Sequence, residues 1–225
     1  MHWLITRPQP ECDILCQRLA QAGFAATAAP AIAIEPCAID HRVIMDLDQF
    51  DTLIVVSKSA ARRLIDEIDA YWPQLPIDQT CIAVGPGTAQ ILSEYGFAVQ
   101  VPDQADSEGV LGLCQGAQRV LLAAGVGGRE TIEQGLAHCQ LTRLALYRRA
   151  QVPLPASVDS GVLTHIWVTS ADIAAVVADW NLGQPVWVPS QRVADQARAL
   201  GLTVQRVLDS AQDDALLAAL KKEAV

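Results

Sequence analysis

The sequence predicts an α/β fold in which parallel sheets are covered by helices, and three features of the chain support this prediction. The chain has 225 residues, 51% of them hydrophobic, which suffices for one or two buried cores. Apolar runs of strand length alternate with helical patterns throughout. The runs are apolar on both faces, as expected for parallel strands buried between helices. We favour two domains, because the chain also contains an internal repeat.

The predicted strands are short runs of β-branched and other apolar residues that end at Gly, Pro or Ser, which are typical strand boundaries. In chain order they span His2–Thr6, Ala26–Glu35, Thr52–Ser57, Thr80–Val84, Ala98–Pro102, Arg119–Ala124, Thr142–Arg149, His165–Thr169, Pro185–Pro189 and Thr203–Val207.

The predicted helices occupy the segments between these runs, where apolar residues recur with helical spacing. Several begin at a capping serine or end at a glycine, as at Ser57 and Gly96. They span Pro10–Ala22, Asp40–Leu47, Lys58–Tyr71, Gly87–Tyr95, Ser107–Cys114, Arg129–Cys139, Ala171–Trp180, Arg192–Leu200 and Asp213–Glu223.

The repeat has two parts, and each part occurs twice in the order X-Y-X′-Y′. Segment Y (53–101), which starts LIVVSKSAARRLIDEI, matches Y′ (165–207), which starts HIWVTSADIAAVVADW. Segment X (4–24) matches X′ (121–141) more faintly, as strand, turn and helix. The pattern leaves open which X packs with which Y.

Composition excludes several classes of protein. The formal net charge of −9 provides no general electrostatic attraction to nucleic acid or to an anionic membrane. No apolar run reaches the roughly 18–20 residues of a membrane span, and the first residues do not read as a signal peptide, so we expect a cytoplasmic protein. Six scattered cysteines without a C-x-x-C pair indicate reduced thiols, and four histidines without ligand spacing predict no metal.

The stretch CIAVGPGTAQILSEYG, from Cys81 to Gly96, predicts a strand, a glycine turn and a helix. A helix N-terminus after such a turn offers N–H groups to an anion. The stretch lacks the third glycine of a dinucleotide fingerprint and the lysine of a P-loop. It therefore predicts either an anion site of another kind or a tight connection without a ligand.

Six motifs in register resemble those of the uroporphyrinogen-III synthase family, over essentially the whole chain. They are TRP at Thr6–Pro8, VVS ending at Ser57, AVGPGTA at Ala83–Ala89, GVGGRE at Gly125–Glu130, LYRR at Leu146–Arg149 and VTS at Val168–Ser170.

The resemblance implies two flavodoxin-like α/β domains with parallel sheets flanked by helices, joined by a two-stranded connector. It assigns residues 1–33 and 154–225 to the first domain and 37–149 to the second. The connector strands are then 34–36 and 150–153. This arrangement pairs X with Y′ and Y with X′.

The resemblance also implies a lyase that uses no cofactor and no metal. Its substrate is hydroxymethylbilane, a linear tetrapyrrole with eight carboxylates, and its product is uroporphyrinogen III, a precursor of heme, in which the last pyrrole ring, ring D, is inverted. We expect a monomer that binds neither nucleic acid nor membrane, with a transient contact to the preceding pathway enzyme left open.

This chemistry requires positioning more than strong acids and bases. Ring A loses its hydroxymethyl oxygen as water, and the substituted carbon of ring D must then attack the cation. The resemblance makes Tyr147, which interrupts an apolar strand before Arg148 and Arg149, the proton donor to the leaving hydroxyl. The alternative for Tyr147 is an interfacial core tyrosine.

Substrate carboxylates suit the glycine turn, because N–H groups bind anions without making the protein basic. We therefore predict that Gly85, Gly87 and the Thr88 hydroxyl bind a carboxylate, with Lys58 as a further candidate. The alternative for Thr88 is that its hydroxyl caps the helix.

Serines at matching strand-to-helix turns of Y and Y′ are further binding candidates. Ser57 and Ser170, with Thr169 beside the latter, lie at the carboxyl ends of predicted strands, where α/β proteins bind ligands in a cleft. Ser190 lies in the turn that matches Gly85. The alternative for each serine is an N-cap with no other role.

Three arginines complete the predicted binding set. Arg129 follows GVGG at a predicted helix start, where an anion would offset a positive charge that the helix dipole disfavours. Its alternative is a salt bridge to Glu130 or Glu133. Arg7 follows the first strand and binds the ligand or is solvated. Arg192 stands where many family members have threonine or serine, which leaves the role of that turn open.

Two other functions remain compatible with the residues. One is a hinged two-domain binding protein for a small acidic ligand, and the other is a flavin or nucleotide enzyme on a flavodoxin-like fold.

Overall fold

The computed structural model describes residues 1–75, 79–104, 106–127 and 130–223. The chain divides into two compact units. Unit 1 contains Met1–Ile34 and Ala150–Val225, and unit 2 contains Glu35–Arg149.

The described strands and helices alternate along most of the chain. The strands are β1 (His2–Ile5), β2 (Ala25–Ala28), β3 (Ile32–Pro36), β4 (Thr52–Val55), β5 (Thr80–Ala83), β6 (Val99–Gln100), β7 (Arg119–Gly125), β8 (Gln140–Gln151), β9 (His165–Trp167), β10 (Val186–Val188) and β11 (Val204–Val207). The helices are α1 (Glu11–Gln21), α2 (His41–Met45), α3 (Lys58–Tyr71), α4 (Pro86–Tyr95), α5 (Ser107–Leu113), α6 (Thr131–Gly135), α7 (Ala171–Trp180), α8 (Gln191–Ala199) and α9 (Asp213–Glu223). A short 3₁₀ turn covers Leu47–Gln49. The alternation of strands and helices is broken where β2 is followed by β3 and where β8 is followed by β9.

Unit 1 contains a five-stranded sheet in the order β11-β10-β9-β1-β2, and every pairing in it is parallel. Alternation along β1 sends Leu4 into one core cluster and Trp3 and Ile5 into another. The first cluster includes residues of α7 and α8, and the second includes residues of α1 and α9. The sheet is thus covered by helices on both faces.

Unit 2 contains a six-stranded sheet in the order β3-β8-β7-β4-β5-β6. The pairings among β4, β5, β6, β7 and β8 are parallel. β3 joins the edge through β8, and this pair is antiparallel. The Cys37 N–H bonds to the Leu146 carbonyl, while the Ala31 carbonyl accepts from the Val152 N–H, so the partner number falls as the residue number rises.

The two sheets repeat one arrangement. From the centre of each sheet, three strands follow one another toward one edge (β4-β5-β6 or β9-β10-β11), and two follow one another toward the other edge (β7-β8 or β1-β2). In unit 2, β3 lies beyond β8 at that second edge. The strand order therefore reverses between β4 and β7 in unit 2 and between β9 and β1 in unit 1. The crevice at the carboxyl ends of the strands beside such a reversal is the usual ligand site of an open α/β sheet.

The strand predicted over Ala26–Glu35 is wrong as a single element. The segment forms β2 and β3, which belong to different sheets. The break falls at Pro30, which has no N–H to continue a ladder. The helix predicted over Arg129–Cys139 is also shorter in the structure, where α6 ends at Gly135.

No helix among the described residues is long and apolar enough to cross a membrane.

Candidate functional site

A cavity of about 290 Å³ lies in unit 2 beside the reversal point of its sheet. Its lining includes Ser57 after β4, residues 125–127 at the end of β7, and the β8 residues Arg143, Tyr147 and Arg149. The volume is near the lower end of the roughly 300–1,000 Å³ of small-molecule sites. The cavity is large enough for part of a large ligand.

Tyr147 is buried in this site, with 2% of its surface exposed. Its hydroxyl lies 3.0 Å from the Ser57 hydroxyl. The Ser57 oxygen also accepts a hydrogen bond of 3.1 Å from the Ala60 N–H, which makes Ser57 the N-cap of α3. The structure therefore brings together the predicted proton donor and one of the predicted binding serines.

Gly125 gives the Tyr147 ring its space. The two residues are register partners of β7 and β8, at a bulge between Ala124 and Gly125. A Cβ atom on Gly125 would lie 2.7 Å from the ring carbon Cζ and 3.1 Å from the hydroxyl oxygen. Any larger residue here would collide with the ring, because carbon atoms in contact normally lie about 3.5–4.0 Å apart.

Arg143 and Glu133 line the same cavity, and the sequence predicted neither as a member of the site. The guanidinium forms a salt bridge with Glu133 and donates to the carbonyls of Gly125 and Gly127. One Glu133 oxygen is buried and has no hydrogen-bond partner among the described residues. The available signal was that Arg143 lies four residues before Tyr147, a spacing that places both side chains on one face of a regular strand.

The glycine turn lies after β5, and the Lys58 side chain covers it. A Cβ atom on Gly87 would lie 2.5 Å from Lys58 Cε and 3.3 Å from its Nζ. Pro86 has no N–H, and the Thr88 N–H bonds to the Gly85 carbonyl at 3.0 Å. The Lys58 ammonium therefore lies beside the N-terminus of α4.

Thr88 does not cap α4, so that alternative is wrong. Gly85 is the N-cap residue, and no side chain caps the helix there. Thr88 itself is buried, with 6% of its surface exposed. Its hydroxyl does not line the cavity beside Tyr147.

The candidate serines of unit 1 are N-caps. Ser170 accepts from the Ile173 N–H at 3.3 Å, and Ser190 accepts from the Val193 N–H at 3.4 Å. The capping role foreseen as an alternative is therefore present at both, as at Ser57. Thr169 is half-buried and Arg192 is exposed at the start of α8.

Arg7 is paired with a carboxylate rather than solvated. It forms a salt bridge with Asp213 at the start of α9, and 17% of its side chain is exposed. Arg18 contacts the same carboxylate at 3.5 Å. Arg129, the other arginine predicted near a helix start, lies outside the described residues.

No cysteine among the described residues lines the cavity beside Tyr147. All six are free thiols. Burial raises the pKa of Cys81 to about 12, and burial together with neighbouring Cys139 raises that of Cys114 to about 11. The described residues contain no cluster of three or more His, Cys, Asp or Glu side chains suited to a metal ion.

Comparisons with known proteins all indicate one family. The family model described as "Uroporphyrinogen-III synthase HemD" matches residues 14–218. The uroporphyrinogen-III synthase of Escherichia coli (strain K12) is 29% identical over an alignment of 249 residues. The alignment covers 98% of this chain and 100% of that protein.

Solved structures show the same fold. A mutant uroporphyrinogen III synthase from Thermus thermophilus superposes with a TM-score of 0.65 at 17% identity, covering 100% of this chain and 99% of that one. The uroporphyrinogen-III synthetase of Helicobacter pylori gives a TM-score of 0.62 at 13% identity, with both chains fully covered at 100%. The two-domain α/β fold class predicted from the sequence is confirmed. Because the family model spans nearly the whole chain, this chain belongs to the uroporphyrinogen-III synthase family of lyases.

Proposed function

We propose that this chain converts hydroxymethylbilane to uroporphyrinogen III with inversion of ring D, and that Tyr147 is its proton donor. The observation that carries the assignment to Tyr147 is its position. Its buried hydroxyl lies in the cavity at the reversal point of the unit 2 sheet, 3.0 Å from Ser57. Buried tyrosine hydroxyls need a partner, and here that partner is at the edge of a cavity.

The hydrogen bonds around Ser57 orient the Tyr147 proton. The Ser57 oxygen already accepts from the Ala60 N–H, so its own O–H is available to donate to the Tyr147 oxygen. Tyr147 then directs its O–H at the hydroxymethyl oxygen of ring A. Donation from Ser57 also stabilises the negative charge that develops on Tyr147 as its proton leaves.

The reaction then proceeds with all protons accounted for. The C–O bond of ring A breaks as the pyrrole nitrogen supplies electrons and Tyr147 protonates the departing oxygen, which leaves as water. The substituted carbon of ring D attacks the cation and forms a spiro intermediate. That intermediate fragments and recloses, and the proton lost when the ring regains aromaticity restores Tyr147. Positioning of the flexible substrate supplies most of the selectivity.

Carboxylate binding in unit 2 is assigned to the turn after β5. The Lys58 side chain packs over Gly87, so its ammonium lies close to the N-terminus of α4, where helix N–H groups attract anions. We assign Gly85 to shaping this turn. Thr88, one residue further on, is a weaker candidate in the structure because it is buried.

Carboxylate binding in unit 1 is assigned to the starts of α7 and α8. Thr169 and Ser170 precede α7, while Ser190 and Arg192 flank the start of α8. A capping serine can still bind a carboxylate, because its O–H can donate a hydrogen bond while its oxygen accepts one from an amide N–H.

Arg7 and Arg129 complete the proposed binding set. Arg7 would have to share its guanidinium between Asp213 and a substrate carboxylate. For Arg129 the support is its place in the GVGGRE motif.

The proposed domains are 1–33 with 154–225 and 37–149, joined by 34–36 and 150–153. The division of the chain into two compact units supports this proposal.

We further propose a cytoplasmic monomer that needs no cofactor and meets the preceding pathway enzyme only transiently.

One assay tests the function. Freshly generated hydroxymethylbilane is supplied to the purified chain, and the uroporphyrinogen isomers III and I are separated after oxidation. A synthase gives predominantly isomer III, whereas a passive binding protein leaves the substrate to close spontaneously, without inversion of ring D, to isomer I. Predominance of isomer I at saturating protein would refute the proposal.

A further inference from the structure

Arg143 holds three acceptors with one guanidinium group. Its Nη1 contacts the Glu133 carboxylate, while its Nη2 donates to the Gly125 carbonyl at 2.8 Å and also to the Gly127 carbonyl. These acceptors all belong to the segment that runs from the end of β7 into α6. A lysine carries the same charge but lacks the planar fork that allows these contacts together.

A single peptide group links Arg143 to the main chain of Tyr147. The carbonyl of the peptide between Gly125 and Val126 accepts from Arg143 at 2.8 Å. Its N–H donates to the Tyr147 carbonyl at 2.7 Å. Hydrogen bonds at both ends fix the plane of this peptide, and bonds in such a chain strengthen one another. Loss of the Arg143 contact therefore loosens the segment against which Tyr147 is held.

The Tyr147 ring itself rests on the same segment. The space for a Cβ atom at Gly125 is taken by the ring, with Cζ only 2.7 Å from that position. A small movement of the Gly125 main chain therefore changes the space available to the ring. The hydroxyl, held 3.0 Å from Ser57, moves with it.

We infer that Arg143 is a positioning residue for Tyr147, acting through the Gly125–Val126 peptide and anchored by Glu133. This inference rests on the proposed function, because it assumes that Tyr147 donates the proton. Arg143 needs no contact with the substrate in this role. Its effect is to keep the Tyr147 hydroxyl within range of the leaving oxygen, where a displacement of about 1 Å can cost 10²-fold in rate.

The test is a double-mutant cycle between Arg143→Lys and Tyr147→Phe, measured on the full chain with hydroxymethylbilane. Arg143→Lys alone should lower kcat by about tenfold to a hundredfold and change KM less than about threefold. In the Tyr147→Phe background the same change should cost less than about threefold, because the hydroxyl that Arg143 positions is absent. Arg119→Lys, the same chemical change at the other end of β7, is the matched control and should leave kcat unchanged.

Each outcome decides the matter. Losses that multiply in the double variant, or an unaltered kcat in Arg143→Lys, would overturn the positioning role while the synthase activity stands. A parent chain that forms no excess of isomer III would overturn the proposed function and this inference with it. If Arg143→Lys does not fold, Glu133→Gln weakens the anchor instead, and its loss of kcat must likewise shrink in the Tyr147→Phe background.

Discussion

Replacing Gly125 by alanine should damage catalysis far more than folding. The added Cβ would lie 2.7 Å from Tyr147 Cζ and 2.8 Å from Cε2, whereas carbon contacts normally measure about 3.5–4.0 Å. The ring must therefore withdraw by about 1 Å. Such a shift breaks the alignment of its hydroxyl with Ser57, so we expect kcat to fall by about 100-fold.

The expected cost in stability is modest. Crowding a buried ring lowers the free energy of unfolding by about 1–3 kcal/mol. Alanine also restricts the unfolded chain more than glycine does, which stabilises the folded state by about 0.4–1 kcal/mol. For a chain of 225 residues a net loss near 1–2 kcal/mol lowers Tm by only about 2–8 °C. Kinetics and thermal unfolding should be measured on the same preparation, so that kcat refers to folded enzyme.

Gly112→Ala is the matched control for this substitution. Gly112 lies on α5, and a Cβ atom there would meet nothing within 4 Å. It should leave kcat unchanged and raise stability by up to about 1 kcal/mol. If Gly125→Ala lowers Tm but keeps a normal kcat, the exact position of Tyr147 does not matter to the reaction, and its assignment as proton donor fails.

Further substitutions test other parts of the site. Tyr147→Phe should lower kcat by roughly tenfold to a thousandfold, and an unchanged far-ultraviolet circular dichroism spectrum would show that the variant is folded. Ser57→Ala and Ser170→Ala should each cost about 0.5–2 kcal/mol of unfolding free energy as lost caps, but only Ser57→Ala should reduce kcat strongly. Thr88→Val should leave Tm nearly unchanged, because no cap is lost, and a drop in kcat/KM would then report a lost carboxylate contact. Burial would raise the pKa of Asp51, but hydrogen bonds from two main-chain N–H groups and a hydroxyl lower it. The stability advantage over Asp51→Asn should therefore be present at neutral pH and disappear as the pH falls from about 4 through the lower pKa of the folded state.

Local signals in the sequence were sufficient to predict most of the fold. The helices Lys58–Tyr71, Ala171–Trp180 and Asp213–Glu223 have the predicted bounds, because strong apolar periodicity coincides there with clear starts such as the capping serines. The break between β2 and β3 was missed, although Pro30 marks it. An apolar run on both sides of a proline looks like one strand when the two halves enter different sheets.

The candidate site was predictable only in part. Tyr147 and Ser57 were found, because a tyrosine in an apolar strand and a serine at a helix start are visible as residue types. Arg143 was not found, because two of its partners are main-chain carbonyls, which no residue pattern displays. The alternative that Thr88 caps α4 was wrong for a related reason, because a cap depends on where the helix begins and the sequence does not show that residue exactly. The helix starts at Pro86, which makes Gly85 the N-cap and places Thr88 beyond it.

The repeat shows why the chemistry should be confined to unit 2. In the register of the repeat Ile5 matches Leu122, and the strand partner of Leu122 is Arg143, whereas that of Ile5 is Ala28. Unit 1 therefore has a methyl group where unit 2 has the guanidinium that organises the end of β7. Both units keep a serine-capped helix after the strand beside the reversal point, and we propose that both helix starts bind substrate carboxylates. Only unit 2 joins that feature to a buried tyrosine, which is why the loss of the equivalent serine in unit 1 is expected to raise KM and spare kcat.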